Sequence, residues 1–127
     1  MPAQKKKKTK LTGTVLRAQR ISALMLAKKA LDVKIIDVRK ITTLTDFFVI
    51  CTSESEPQTR AITDHIYEQM KEEGIKAWHI EGYESLNWVL LDFVNIVVHV
   101  FSRESRDYYD LERLWADGKI TRVHDKK

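Results

Sequence analysis

The chain has 127 residues, of which 43% are hydrophobic and 31% charged, enough for one modest core and too few for two domains of ordinary size. Its net charge of +4 is local, because five lysines precede residue 11 and leave the remainder with one net negative charge. That balance argues against a body that binds nucleic acid, and the spread of Leu, Ile and Val argues against global disorder.

The opening run contains Lys5, Lys6, Lys7, Lys8 and Lys10, and residues 1–17 are predicted as a flexible lysine-rich tail. Two readings fit this run: a solubilising tail, or a segment whose counterion release holds the protein near RNA and makes binding salt-sensitive. No apolar segment of signal-peptide type follows it, and none is long enough to span a bilayer. One α/β domain is expected over 18–118 and a polar tail over 119–127.

Ile21, Leu24, Met25 and Leu31 fall at roughly helical spacing and predict an amphipathic helix over Arg20 to Leu31. Val33 to Val38 reads as a strand. Phe47 to Thr52 reads as a second, with too many consecutive apolar residues for a half-exposed position, so it is placed inside the sheet. Cys51 belongs to that run; as the single cysteine it cannot form an internal disulfide and is assigned to the core. Thr52 to Pro57 breaks the pattern, with Ser55 as N-cap, Pro57 in the first helical turn, and Glu54 or Glu56 at the positive end. Ile62, Ile66 and Met70 recur every fourth residue and predict a helix that stops near Gly74.

Strands follow around Ala77 to Ile80, Trp88 to Asp92 and Ile96 to Phe101. The last two are joined by Phe93-Val94-Asn95, a hairpin turn without glycine. Arg103 to Trp115 predicts a closing helix, and from Gly118 the chain is expected to loosen. The sum is a mixed β-sheet flanked by helices, with a right-handed crossover after Thr52 and an antiparallel portion added later.

Few groups suggest chemistry. Asp37 and Asp46 lie near strand ends, but without the spacing of a paired-aspartate metal site, and turn formation is the simpler role. Ser53 and Ser55 lack the glycines and lysine of a phosphate loop, and Glu54 and Glu56 repel an anion, so capping is favoured. His65, His79, His99 and His124 are scattered, and no metal-ligand cluster of Cys-x-x-Cys type occurs. His99, inside an apolar strand, reads as a packed side chain and not a general base. Trp88 and Asp92 have two readings. Period two places them on one strand face with Leu90 between, a patch suited to a basic protein surface; alternatively, Trp88 packs in the core and Asp92 starts a turn.

Several segments in order resemble the ribosomal silencing factor family, also called RsfS or Iojap-like. These are Ile36-Asp37-Val38, Thr45-Asp46-Phe47-Phe48-Val49-Ile50, Glu81-Gly82, Trp88-Val89-Leu90-Leu91-Asp92, Val97-Val98-His99-Val100-Phe101 and the run Glu104 to Trp115. The resemblance covers about Ile21 to Trp115. It implies a nucleotidyltransferase-like topology without an enzyme motif, no cofactor, no metal and no small-molecule substrate. It further implies binding to the fourteenth protein of the large ribosomal subunit, which blocks subunit joining and represses translation when nutrients are scarce.

Carried over by position, the implied contact face is Trp88 and Asp92, with Leu90, Asn95, Glu81 and Glu104 beside them. Tyr108 and Trp115 are assigned to a dimer or partner surface, Leu111 and Leu114 to supporting the fold, and the lysine run to nearby ribosomal RNA. A homodimer is implied for the free protein. Mitochondrial and plastid relatives assist large-subunit assembly, but the lysine-rich start lacks a transit-peptide pattern and favours the bacterial cytoplasm. Two positions depart from the family: Ser53-Glu54-Ser55 stands where a glycine is common, and Val94-Asn95 where glycine and aspartate are common, so the later turn is less permissive. A large-subunit assembly factor is the alternative role, and a metal-dependent nucleotidyltransferase a weaker one.

Overall fold

A computed structural model describes residues 3–124, with side chains from residue 13 onward. Helix α1 (Ala3–Ala27) leads into strands β1 (Leu31–Asp37) and β2 (Phe47–Ser53), then helix α2 (Glu56–Glu72). Strands β3 (His79–Glu81), β4 (Trp88–Asp92) and β5 (Ile96–Ser102) follow, then helices α3 (Arg103–Tyr109) and α4 (Leu111–Leu114), and strand β6 (Lys119–Val123).

The six strands form one sheet in the order β3-β4-β5-β2-β1-β6. Among the described residues only β2 and β5 run parallel; the other neighbours are antiparallel. The excursion through α2 carries the chain from β2 to the far edge at β3, and the β4–β5 hairpin brings it back beside β2. Every residue of β2 is buried, as expected of a strand covered on both faces.

Strand alternation divides the core into two layers. On one face, Phe47, Val49 and Cys51 of β2, Val89 and Leu91 of β4, and Ile96, Val98 and Val100 of β5 meet Ile21, Leu24 and Met25 of α1 and Ile62, Ile66 and Met70 of α2. On the other, Ile36, Val38, Phe48, Ile50 and Phe101 meet Leu111, with Trp88, Val97 and Trp115 packed around them. Two long helices thus close the first face, and two short ones cover only part of the second.

The helix ends show which sequence signals acted. Ser55 caps α2 by accepting from the Gln58 backbone N–H at 3.1 Å, and Pro57 occupies its first turn. Gly74, at φ +88°, ends the helix with the Ile75 N–H on the Met70 carbonyl at 2.8 Å. Helix α1 stops earlier than Leu31, because Lys29 adopts φ +66° and the Ala30 N–H turns back to the Met25 carbonyl. The closing helix is two pieces, since Asp110 takes φ +48° between α3 and α4. Aspartate tolerates that region better than most residues, and the break turns Leu114 outward. Leu114 is 71% exposed and does not support the core, whereas Leu111 does.

Two further expectations are corrected. The nucleotidyltransferase-like topology is not formed: the sheet is open, with β3 and β6 as separate edges. The segment resemblance placed strands along the chain but carried no information on their order across the sheet. Lys119 to Val123, read as part of a polar tail, pair with β1 from Val33↔Val123 to Asp37↔Lys119. Their side chains are mostly exposed, so composition alone gave them no strand signal; the pairing is through backbone.

Candidate functional site

The open face of β4 carries Trp88, Leu90 and Asp92 in one row, all half-buried, while Val89 and Leu91 are buried on the other side. The opposed residues are Phe101, His99 and Val97 of β5. Across the other flank, Glu81 of β3 lies opposite Leu90 and His79 opposite Asp92. The structure therefore brings Trp88, Leu90, Asp92 and Glu81 onto one surface.

Trp88 stands in an aromatic cluster. Its ring stacks on Phe101 at 5.0 Å between centroids and tilts against Tyr109 at 4.5 Å. Its indole Nε1–H donates to His99 Nδ1 at 3.0 Å. His99 in turn meets Phe48 edge-on at 5.3 Å, and Trp115 packs on Phe48 at 5.2 Å. Burial pushes the His99 imidazole down to about 3, so it is neutral at physiological pH, with Nδ1 as acceptor and the proton on Nε2. Gly82 makes room for this strand: at φ +81°, any Cβ there would collide with the Trp88 carbonyl.

Acidic groups border the aromatic surface. Asp92 Oδ1 accepts the Val94 backbone N–H at 2.7 Å, so this carboxylate also shapes the hairpin turn. Within that turn the Asn95 N–H closes on the Phe93 carbonyl at 2.9 Å with Val94 at φ +75°, the geometry of a γ-turn. Asn95 follows directly, and its carbonyl accepts from the N–H groups of both Asp46 and Phe47, tying the hairpin to the start of β2. Glu81 pairs with His79 at 2.7 Å on the exposed edge.

Glu104 stands apart from this row, exposed in the first turn of α3. Tyr108 is 80% exposed and meets Tyr109 edge-on at 5.0 Å, so it adjoins the Trp88 cluster through one intervening ring. Trp115 is half-buried behind Phe48. The side chains of Lys5, Lys6, Lys7, Lys8 and Lys10 lie outside the described residues.

Sequence reasoning missed three contributors. Tyr109 was hidden beside Tyr108, and only the packing of α3 on the sheet shows that Tyr109 is the one that reaches Trp88. His99 was read only as a packed side chain, although pairing the β4–β5 hairpin around its short turn places Val97, His99 and Phe101 on the Trp88 face. Arg106 was overlooked altogether. It is 5% exposed and donates to the Asp32 carbonyl at 2.6 Å, Thr52 Oγ1 at 2.9 Å and Glu112 Oε2 at 2.9 Å. Lys34 Nζ meets the same Glu112 oxygen at 2.8 Å. Burial alone raises the Glu112 pKa, but the hydrogen bonds from Arg106 and Lys34 outweigh it and bring the carboxyl down to about 2. This network fastens the two short helices to β1 and β2.

Asp37 and Cys51 have structural surroundings. Arg39 holds Asp37 at 2.7 Å, a hydrogen bond that lowers the carboxyl pKa. Burial pushes the Cys51 thiol up to about 12, against a weaker pull from Arg106, so it packs as an apolar group. Among the described residues, no three His, Cys, Asp or Glu side chains gather in a metal-binding group.

The model of the family described as "Ribosomal silencing factor during starvation" matches residues 13–127. The chain is 43% identical over 91 residues to the ribosomal silencing factor RsfS of Halalkalibacterium halodurans, covering 72% of this chain and 78% of that one. It is 40% identical over 93 residues to RsfS of Bacillus subtilis, covering 73% and 79%. A crystal structure of a protein from Chromobacterium violaceum superposes with a TM-score of 0.75 at 31% identity, covering 85% of this chain and 91% of that one. The match over nearly all of the folded chain, together with relatives above 30% identity, places the protein in the ribosomal silencing factor family.

Proposed function

We propose that the protein docks on the large ribosomal subunit, through its fourteenth ribosomal protein, and sterically blocks joining of the small subunit, repressing translation under nutrient limitation. One observation supports this reading most: the row Trp88, Leu90 and Asp92 lies on the sheet face that only two short helices partly cover. A half-buried tryptophan among rings provides a rigid apolar anchor, and Asp92 and Glu81 beside it select a basic partner surface. Asn95 extends the row at the hairpin, Glu104 flanks it from α3, and Tyr108 and Trp115 belong to a dimer or further partner surface. The free protein is a homodimer in this reading, and the lysines of the first ten residues approach ribosomal RNA once it is docked. The bacterial relatives fit action in the bacterial cytoplasm.

Sedimentation with purified mature large subunits, followed by addition of small subunits, tests the reading. The native chain is expected to bind and to reduce joining. Folded Trp88→Ala and Asp92→Lys variants are expected to lose affinity, by about 30-fold for a central aromatic anchor. Absence of binding to mature subunits would reject silencing, and binding confined to immature particles would assign the protein to assembly.

A further inference from the structure

We infer that His99 is a positioning residue for docking: its Nδ1 takes the Trp88 indole N–H and fixes the plane in which the indole meets a partner. This inference rests on the open face being the docking surface. The contacts of Trp88 with Phe101 and Tyr109 are ring against ring and tolerate sliding or rotation. The 3.0 Å hydrogen bond to His99 is directional and selects one orientation.

The imidazole is itself held in place. It is 4% exposed and lies near-parallel to Phe101 at 5.9 Å and edge-on to Phe48 at 5.3 Å. Its other nitrogen, Nε2, is buried and finds no hydrogen-bond partner. An unpaired buried N–H is unfavourable, and an apolar ring among the same neighbours would avoid it. The Nε2 side gives no reason for a histidine at this position, whereas an acceptor for the indole at Nδ1 does. An anchor already oriented in the free protein loses less freedom on binding, so the hydrogen bond acts on affinity without touching the partner.

The test compares the full chain with His99→Phe, His99→Gln, Trp88→Phe and the His99→Phe/Trp88→Phe double variant. Three quantities are measured: thermal unfolding, hydrogen exchange at the Trp88 indole N–H by NMR, and affinity for purified large subunits. His99→Phe is expected to remain cooperatively folded in the thermal melt, to exchange its indole proton faster, and to bind roughly 5- to 10-fold more weakly. His99→Gln keeps an acceptor oxygen and is expected to restore part of the protection and of the affinity. The double variant is expected to bind no more weakly than Trp88→Phe alone.

Unchanged indole exchange in His99→Phe would overturn the inference, as would losses that multiply in the double variant. If His99→Phe does not fold, His99→Gln decides: slow exchange with near-parent affinity supports positioning, and slow exchange with lost affinity overturns it. Should Trp88→Ala leave binding unaffected, the docking surface is wrong and the inference falls with it. The His99→Phe exchange rate would then still report whether His99 holds the indole, so the two failures are told apart.

Discussion

The two faces of the sheet are made by the same strands yet built by different rules. On the α1 and α2 side, interdigitating aliphatic residues such as Val49, Leu91, Val98, Ile66 and Met70 exclude water almost completely. On the α3 and α4 side, the strands present rings, an imidazole and charges, and the cover is short and fastened by the Arg106–Glu112–Lys34 network. The first face derives its stability from burial, which is nondirectional. The second depends on oriented hydrogen bonds and stacking, and therefore keeps a defined surface while leaving part of it accessible.

Truncation on the closed face should do the most damage. Ile66→Ala removes a fully buried side chain at the contact between α2 and the sheet and is expected to cost about 2–5 kcal/mol, read by urea denaturation. If the loss falls below 1 kcal/mol, the closed face is looser than its packing indicates.

Acid should expose the open face. The buried His99 has a folded pKa of about 3, below its ordinary value, so the unfolded chain binds the proton more readily and stability falls as pH drops from about 6.5 toward 3. The slope attributable to this group is at most about 1.4 kcal/mol per pH unit. Glu112 adds a loss in the same direction at lower pH, because its folded pKa of about 2 lies below the ordinary 4.5 and its contribution disappears as pH falls between those values. Melting temperatures measured across this range should decline less steeply for His99→Phe than for the parent. Parallel curves would remove His99 from the account.

The hairpin is a place to gain stability. Val94 is β-branched at φ +75°, a conformation that glycine adopts freely, and Val94→Gly is expected to stabilise the fold by about 1 kcal/mol in a thermal melt. At the other limit, Leu114→Ser alters an exposed side chain and should shift stability by less than about 0.5 kcal/mol. A larger loss would mean that Leu114 is covered in solution.

Much of the closed face was legible in the sequence, because it is written in repeating apolar positions. Ile62, Ile66 and Met70 marked α2, Ser55 and Gly74 marked its ends, and the uninterrupted run from Phe47 marked the central strand. The open face was legible only in part. Alternation set Trp88, Leu90 and Asp92 in a row, but the value of His99 and Tyr109 depends on which strands are neighbours and on how α3 lies on the sheet. Arg106 resembled any surface arginine until Asp32, Thr52 and Glu112 surrounded it. β6 was illegible for another reason: a strand held by backbone pairing, with its side chains in solvent, need not alternate in hydrophobicity.

That sixth strand also bears on how the chain reaches its native state. β1 is an interior strand only because Val33 to Asp37 pair with Val123 to Lys119, from the opposite end of the described chain. Before that pairing forms, the unpaired amides and carbonyls of β1 present a bare edge beside the apolar side chains of Val33 and Ile35. Closing so long a loop is entropically slow, so the edge persists while more local structure assembles. An edge left bare in this way is open to pairing with another chain, and chaperone demand is expected to track its lifetime.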